Sequence, residues 1–254
     1  MSFLTGLFAL LFYGATALLV YGLYRKIRQY ATTPAPLKIP TMPAPVTQGG
    51  VVFRMVTEVL FFGSLFRSNK WIWVFAYLFH FGMFIALVRH LRYFAEPVPT
   101  IIVLMQWIGI YAGIAMVVGL LGLWGRRFLV DRVRYISAPS DHLMLALLLG
   151  IGVSGVLMSQ HVAPVDIVGL KGFMVGLYTF NWQPLPADPI LLIHLILVIA
   201  LMIVFPVSKL LHAPGVFFSP TRNQIDNPRE KRHVADWAVV KFESNLDAKA
   251  AKAD

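Results

Sequence analysis

The sequence predicts an all-α membrane protein with five transmembrane helices. Of its 254 residues, 58% are hydrophobic and 13% are charged, whereas about a quarter of the residues in ordinary soluble domains are charged. A chain of this length cannot bury so much apolar surface in a soluble core. Five long apolar runs and a one-sided distribution of Lys and Arg support the same fold class.

Each of the five runs has about 20 mostly apolar residues, which is enough to cross about 30 Å of hydrocarbon. No basic residue precedes the first run, and Arg25 and Lys26 follow it. This order of charges favours a retained helix over a cleaved signal peptide. The predicted spans are 3–24, 71–94, 101–124, 142–161 and 189–211.

The basic residues predict the orientation in the membrane. Nineteen of the 22 Lys and Arg residues fall on one side of the predicted bilayer, and three fall on the other, namely Arg89, Arg92 and Lys171. Cytoplasmic loops carry the excess of Lys and Arg. We therefore expect a prokaryotic cytoplasmic (inner) membrane protein with its N-terminus outside and its C-terminus in the cytoplasm. The same bias explains the net charge of +10 without a nucleic-acid partner.

Composition divides the chain into four parts. Residues 32–50 are rich in Pro, Thr and Gly, as in an extended linker. Residues 51–66 have the pattern of an amphipathic helix on the cytoplasmic membrane surface, with a buried sixth half-span as the alternative. The predicted parts are a first transmembrane helix (1–24), a cytoplasmic linker with the interfacial helix (25–70), a four-helix bundle (71–215) and a cytoplasmic tail (216–254).

Histidines are the candidate functional residues, because the chain has no cysteine for iron–sulfur, thiol or disulfide chemistry. His80 and His90 lie ten residues apart in span two, a rise of about 15 Å along a helix. His194 and His212 lie eighteen residues apart in span five, a rise of about 27 Å. Ionisable side chains inside a bilayer mark function by default, although hydrogen-bonded packing is the alternative for any one of them alone.

Antiparallel packing of spans two and five would form two histidine pairs. His90 and His194 are expected towards the outside, and His80 and His212 towards the cytoplasm. Each pair can supply two axial nitrogens to one haem iron, which predicts a di-haem bundle with two b-type haems. Pro206 can bend span five and absorb the unequal spacings.

Each of four other polar residues has two possible roles. His142 and His161 bracket span four and form a rival ligand pair, but histidines at span ends are often solvated, and His161 is also a candidate for proton handling near a quinol. Arg89 and Arg92 can neutralise haem propionates. Snorkelling to the outer interface is the alternative for both arginines.

Residues 70–215 resemble the respiratory nitrate reductase gamma subunit family of membrane cytochromes b. The resemblance implies two b-type haems held by the four histidines in the pairing above, and quinol oxidation beside the outer haem. The segments that carry it are Phe79-His80-Phe81-Gly82 with His90, Phe205-Pro206-Val207-Ser208-Lys209-Leu210-Leu211-His212 with His194, and Gly125-Arg126-Arg127-Phe128.

Segments outside the bundle resemble one branch of that family, which serves heterodisulfide-reductase-like partners. Within it they are most similar to the membrane cytochrome b subunit of the complex linked to dissimilatory sulfite reductase. These segments are Arg54-Met55-Val56-Thr57-Glu58-Val59, Leu65-Phe66-Arg67, Phe218-Ser219-Pro220-Thr221-Arg222-Asn223, Asn227-Pro228-Arg229 and Arg232-His233.

The branch resemblance implies the electron-transfer subunit of an oxidoreductase complex in dissimilatory sulfur metabolism. It would oxidise menaquinol or another quinol and pass electrons to a cytoplasmic iron–sulfur catalytic subunit, with further subunits in the complex. Since the chain has no cysteine, the next carrier must belong to another protein. The alternatives are the gamma subunit of a respiratory nitrate reductase, a haem-free membrane anchor and a small transporter.

Overall fold

A computed structural model describes residues 2–34, 40–159 and 162–226, and this part of the chain is helical with no strands. Short 3₁₀ turns follow α4, α10 and α11. The helices are α1 (Phe3–Thr32), α2 (Gln48–Phe61), α3 (Gly63–Ser68), α4 (Lys70–His90), α5 (Thr100–Leu104), α6 (Gln106–Leu129), α7 (Asp131–Ile136), α8 (Pro139–Ser159), α9 (Ile167–Tyr178), α10 (Pro189–Val204) and α11 (His212–Gly215).

Five of these helices, α1, α4, α6, α8 and α10, are long and apolar enough to cross a membrane. The predicted all-α fold class with five spans is confirmed. Several boundaries differ from the prediction. The first helix continues past residue 24 to Thr32, and the third span begins at Gln106, because Met105, with φ −75° and ψ 4°, leaves the α-helical conformation after α5.

The described residues form two compact units. The first contains the chain up to Lys26 and Phe61–Leu211, and therefore most of the five spans. The second contains Ile27–Leu60 and the residues from His212 onwards.

Within the first unit, consecutive spans pack side by side. Helix α4 packs on α6, α6 on α8, and α8 on α10. Gly82 and Gly119 allow the closest approach, between α4 and α6. A Cβ atom at Gly82 would lie 2.5 Å from the Ala112 carbonyl oxygen, and one at Gly119 would lie 2.6 Å from the Phe79 nitrogen. Small residues at such contacts let membrane helices approach backbone to backbone.

Polar bonds hold the N-terminal half of α1 to the segment around α9. The Trp182 indole donates to the Tyr13 hydroxyl at 2.9 Å, and Tyr13 donates to the Leu177 carbonyl at 2.6 Å. The buried Thr5 hydroxyl accepts from the Leu185 backbone N–H at 3.1 Å. Trp182 and Leu177 thus fix the first span against the connection between spans four and five.

The predicted interfacial helix is two helices, α2 and α3. Phe62 has a φ of 50° and breaks the α-helical path between them. In the second unit, the Glu58 carboxylate of α2 is buried and pairs with Arg222 at 3.1 Å. Backbone bonds from Thr41 to Thr221 and from Asp226 to Pro45 join the linker to the start of the tail.

Span five leaves the α-helix earlier than predicted. Helix α10 ends at Val204, and 3₁₀ turns occupy Phe205–Val207 and Lys209–Leu211. Pro206 has no N–H to donate and its ring excludes a regular α-helical turn. The expectation of a regular helical rise from His194 to His212 is therefore wrong, whereas Pro206 interrupts span five as predicted.

Candidate functional site

His90 and His194 come together in the first unit. His90 ends α4, and His194 lies in the second turn of α10. Their ring centroids are 6.3 Å apart, and the ring planes are 12° from parallel. Among the described helices, α4 and α10 form no extended packing with each other, and α6 and α8 connect them in the order of packing. The two rings therefore approach each other without extensive contact between their helices.

The ring separation fits two axial ligands of one metal ion. A metal–imidazole bond is about 2 Å long, and the ring centre lies roughly 1 Å beyond the bonded nitrogen. Two imidazoles on opposite sides of one iron therefore have centroids about 6 Å apart, which matches the observed 6.3 Å. The centroid spacing of His90 and His194 is compatible with bis-histidine ligation.

Hydrogen bonds at Nδ1 also fit a ligand role. His90 Nδ1 lies 2.6 Å from the Ala86 carbonyl oxygen, and His80 Nδ1 lies 2.8 Å from the Ala76 carbonyl oxygen. A carbonyl oxygen can only accept, so Nδ1 carries the proton and the lone pair of the neutral ring is at Nε2. This tautomer is the one that ligates a metal through Nε2.

His194 makes its Nδ1 contact with a side chain of the neighbouring helix. The Ser154 hydroxyl of α8 lies 2.8 Å from His194 Nδ1. Both side chains are buried. Sequence reasoning missed Ser154, although a polar residue in the middle of an apolar span is a signal that could have found it.

His142 has the opposite hydrogen-bonding pattern. The Trp124 indole N–H donates to His142 Nδ1 at 3.0 Å. Because an acceptor nitrogen carries no proton, the neutral ring holds its proton at Nε2. That tautomer has no lone pair at Nε2 for a metal, which disfavours the rival pairing of His142 with His161. His161 lies outside the described residues.

The surroundings of His80 are aromatic. The Phe79 ring lies 4.6 Å and the Phe62 ring 5.0 Å from the His80 ring, both in edge-to-face arrangements. The backbone break at Phe62 is what turns that ring towards α4. His212 begins α11 in the second unit and is exposed, and its pairing with His80 stays a prediction.

Arg89 and Arg92 take different positions beside His90. The Arg89 side chain lies against Gly109 of α6, where a Cβ atom would collide with it. The Arg92 guanidinium lies 5.7 Å from the centre of the Tyr93 ring, and that ring lies 5.8 Å from His90. Both guanidinium groups therefore belong to residues beside His90, one member of the histidine pair.

A buried carboxylate lies at the opposite end of α8 from this pair. Asp141 accepts from Lys209 Nζ at 2.6 Å and forms a longer contact with Arg127 at 3.4 Å. It also accepts from the Ala138 backbone N–H at 3.1 Å. Asp141 thereby joins the connection between spans three and four to the end of span five.

These features define a multi-pass membrane protein with a histidine pair between two of its spans. Residues 49–227 match the model of the nitrate reductase gamma subunit family. The chain belongs to this family, which confirms the resemblance seen in the sequence.

Two archaeal relatives match most of the chain. One, from Archaeoglobus fulgidus, is 34% identical over 270 residues, which cover 89% of this chain and 81% of the relative. Another, from Archaeoglobus profundus, is 33% identical over 270 residues, with 87% and 79% covered. Each is named Hdr-like menaquinol oxidoreductase cytochrome b-like subunit.

Proposed function

We propose that the chain is the di-haem, quinol-oxidising cytochrome b subunit of a membrane oxidoreductase complex. The approach of His90 to His194 at 6.3 Å is the observation that carries the proposal. Menaquinol is the proposed reductant, since the two archaeal relatives are named menaquinol oxidoreductase subunits.

Four histidines would hold the two haems. His90 and His194 form the proposed ligand pair of the outer haem, supported by their separation and by the protonation of His90 Nδ1. His80 and His212 form the proposed pair of the inner haem, supported by sequence resemblance and by the His80 hydrogen bond to Ala76. Bound haem iron accepts and donates one electron at a time.

In this proposal, the two arginines near His90 neutralise the haem propionates. Haem propionates are anionic, and burying them in the bundle needs compensating cations. Arg89 and Arg92 lie one and two residues from His90. Guanidinium groups pair well with carboxylates, so they are the proposed propionate partners of the outer haem.

The direction of transfer follows from the proposed orientation. With the N-terminus outside, the His90–His194 pair lies on the outer side and quinol oxidation takes place beside it. Electrons then leave through the inner haem to a cytoplasmic iron–sulfur catalytic subunit. The basic residues predicted on that side would provide its docking charge, apart from those that pair within the chain, such as Arg222 with Glu58. The tail residues beyond 226 lie outside the described residues.

The proposal also assigns the chain to one branch of the family. The names of the archaeal relatives favour a heterodisulfide-reductase-like complex over a nitrate reductase. A role in dissimilatory sulfur metabolism rests on the resemblance of Arg54–Val59, Leu65-Phe66-Arg67 and Phe218–Asn223 to the subunit of the sulfite-reductase-linked complex. Identification of the proteins that purify with the full chain distinguishes these branches.

The test is reduction of the purified full chain by a menaquinol analogue, followed by absorption spectroscopy. We expect two b-type haems per chain, with reduction by the quinol. A preparation without haem would contradict the proposal and favour a membrane anchor. A di-haem preparation that dithionite reduces and the quinol does not would contradict the quinol-oxidising role alone.

A further inference from the structure

We infer that the Ser154 hydroxyl is a positioning group for His194, holding its imidazole in the tautomer and orientation that ligate iron. The inference rests on the proposed outer haem and adds a residue of α8 to it. Ser154 and His194 are 4% and 8% exposed, and their polar atoms are 2.8 Å apart. The hydrogen bond therefore forms away from water, where a hydrogen bond is electrostatically stronger.

The single hydroxyl proton of Ser154 determines the direction of this bond. Ser154 donates to the Gly150 carbonyl at 2.7 Å, with the Ile151 carbonyl at 3.1 Å. When that proton is donated within α8, the oxygen accepts from His194 and His194 Nδ1 is the donor. The Ile151 backbone carbonyl, which also bonds to His194, can likewise only accept. The neutral ring then has its lone pair at Nε2, as in His90 and His80.

Ser154 differs from the partners of the other two histidines. Ala86 and Ala76 accept through backbone carbonyls of the same helix, one turn before the histidine. His194 contacts two groups of a different span, the Ser154 hydroxyl and the Ile151 backbone carbonyl, and substitution can remove the first of these. This hydroxyl also fixes the ring with respect to α8 as well as α10.

An accepted Nδ1–H bond makes the imidazole a more basic ligand. A more basic ligand stabilises ferric over ferrous iron and lowers the midpoint potential of the haem. Loss of the Ser154 acceptor should therefore raise the potential of the outer haem. Hydrogen-bond partners of metal-bound histidines typically contribute 10–100-fold to metal affinity, so haem retention should fall as well.

The experiment compares Ser154→Ala, Ser154→Thr and Ser159→Ala in the full chain. Ser159 is the matched control, because it also bonds back to a helix carbonyl, that of Val156 at 3.0 Å, in the last turn of α8. The readouts are haem content and a potentiometric titration of both haems. They do not depend on turnover with quinol.

We expect Ser154→Ala to raise the midpoint potential of the outer haem and to weaken its retention. A tenfold change in the one-electron equilibrium constant is about 59 mV, and a shift of that order is expected, with the inner haem unchanged. Ser154→Thr keeps the hydroxyl and should restore the outer potential. Ser159→Ala should leave both potentials as they are.

An unchanged outer potential in Ser154→Ala, in a protein that still holds two haems, would overturn the inference and leave the proposed function standing. If the unsubstituted chain holds no haem, the proposed function itself is wrong. If the alanine protein is not recovered, Ser154→Cys takes its place, because sulfur is a weak acceptor of similar size. An upward shift in the cysteine variant supports the inference, and an unshifted potential overturns it.

Discussion

The rings of His90 and His194 lie 6.3 Å apart and within 12° of parallel, although their helices, α4 and α10, form no extended packing with each other among the described residues. His90 Nδ1 bonds to the Ala86 carbonyl, which leaves the lone pair of the neutral ring at Nε2, and His194 Nδ1 lies 2.8 Å from the Ser154 hydroxyl. This pair is the proposed ligand set of the outer haem.

The second proposed haem should depend on His80 and His212 together. His80→Leu and His212→Leu should each lose one haem per chain, and the same one, because a low-spin bis-histidine iron needs both nitrogens. The outer haem should still be reduced by quinol, while electrons should no longer reach the cytoplasmic partner. Low-temperature spectra and haem content check this. Loss of two different haems in the two variants would contradict the pairing.

Replacement of His142 separates the rival ligand set from the proposed one. Because Trp124 donates to Nδ1 of His142, His142→Ala should keep both haems and cost at most one neutral hydrogen bond, about 1 kcal/mol of stability. Trp124→Phe is the control that removes the same bond from the other side. A haem-deficient His142→Ala protein with an intact Trp124→Phe protein would assign a ligand role to His142.

Close helix packing at Gly82 should make alanine destabilising there. An added Cβ would meet the Ala112 carbonyl at 2.5 Å and the Met116 nitrogen at 2.9 Å, and such overpacking typically costs about 1–3 kcal/mol. Gly14→Ala is the matched control, since nothing lies within 4 Å of a Cβ at Gly14. There, higher helix propensity should stabilise by up to about 1 kcal/mol. Thermal unfolding in detergent measures the stability change in both variants. Stability changes of the same sign in the two variants would contradict the packing argument.

The buried Asp141 carboxylate, which contacts Lys209 and Arg127, should contribute more to stability than an exposed ion pair does. Asp141→Asn removes the charge that pairs with Lys209 and should destabilise by about 1–3 kcal/mol, the range for hydrogen bonds to charged groups. Asp131→Asn, which breaks the exposed pair with Arg134 at 2.7 Å, should change stability by less than about 0.5 kcal/mol. Comparison of the two unfolding midpoints tests the difference, and similar losses would refute it.

The five spans and the approach of His90 to His194 could be predicted, because both depend on strong and simple signals. Length and apolar composition identify membrane helices, and an intramembrane histidine has few roles. Antiparallel neighbours then place residues near the same membrane depth together. These rules need no knowledge of side-chain packing.

Other features depend on local geometry that the sequence does not express. The positive φ of Phe62 splits the predicted interfacial helix and places an aromatic ring on His80. The early end of α10 at Val204 removes the simple rise from His194 to His212. Ser154 meets His194 only because α8 packs on α10, and no periodicity in either segment indicates that contact.

The most direct test of the account is the haem content of His90→Leu, His194→Leu and the double variant, measured with low-temperature spectra against the unsubstituted chain. Since one iron would use both residues, each single variant should lose the same haem, and the double variant should lose no more than either. The second haem should remain in all three proteins. Loss of a different haem in each single variant, or a double variant without any haem, would contradict the pairing of His90 with His194.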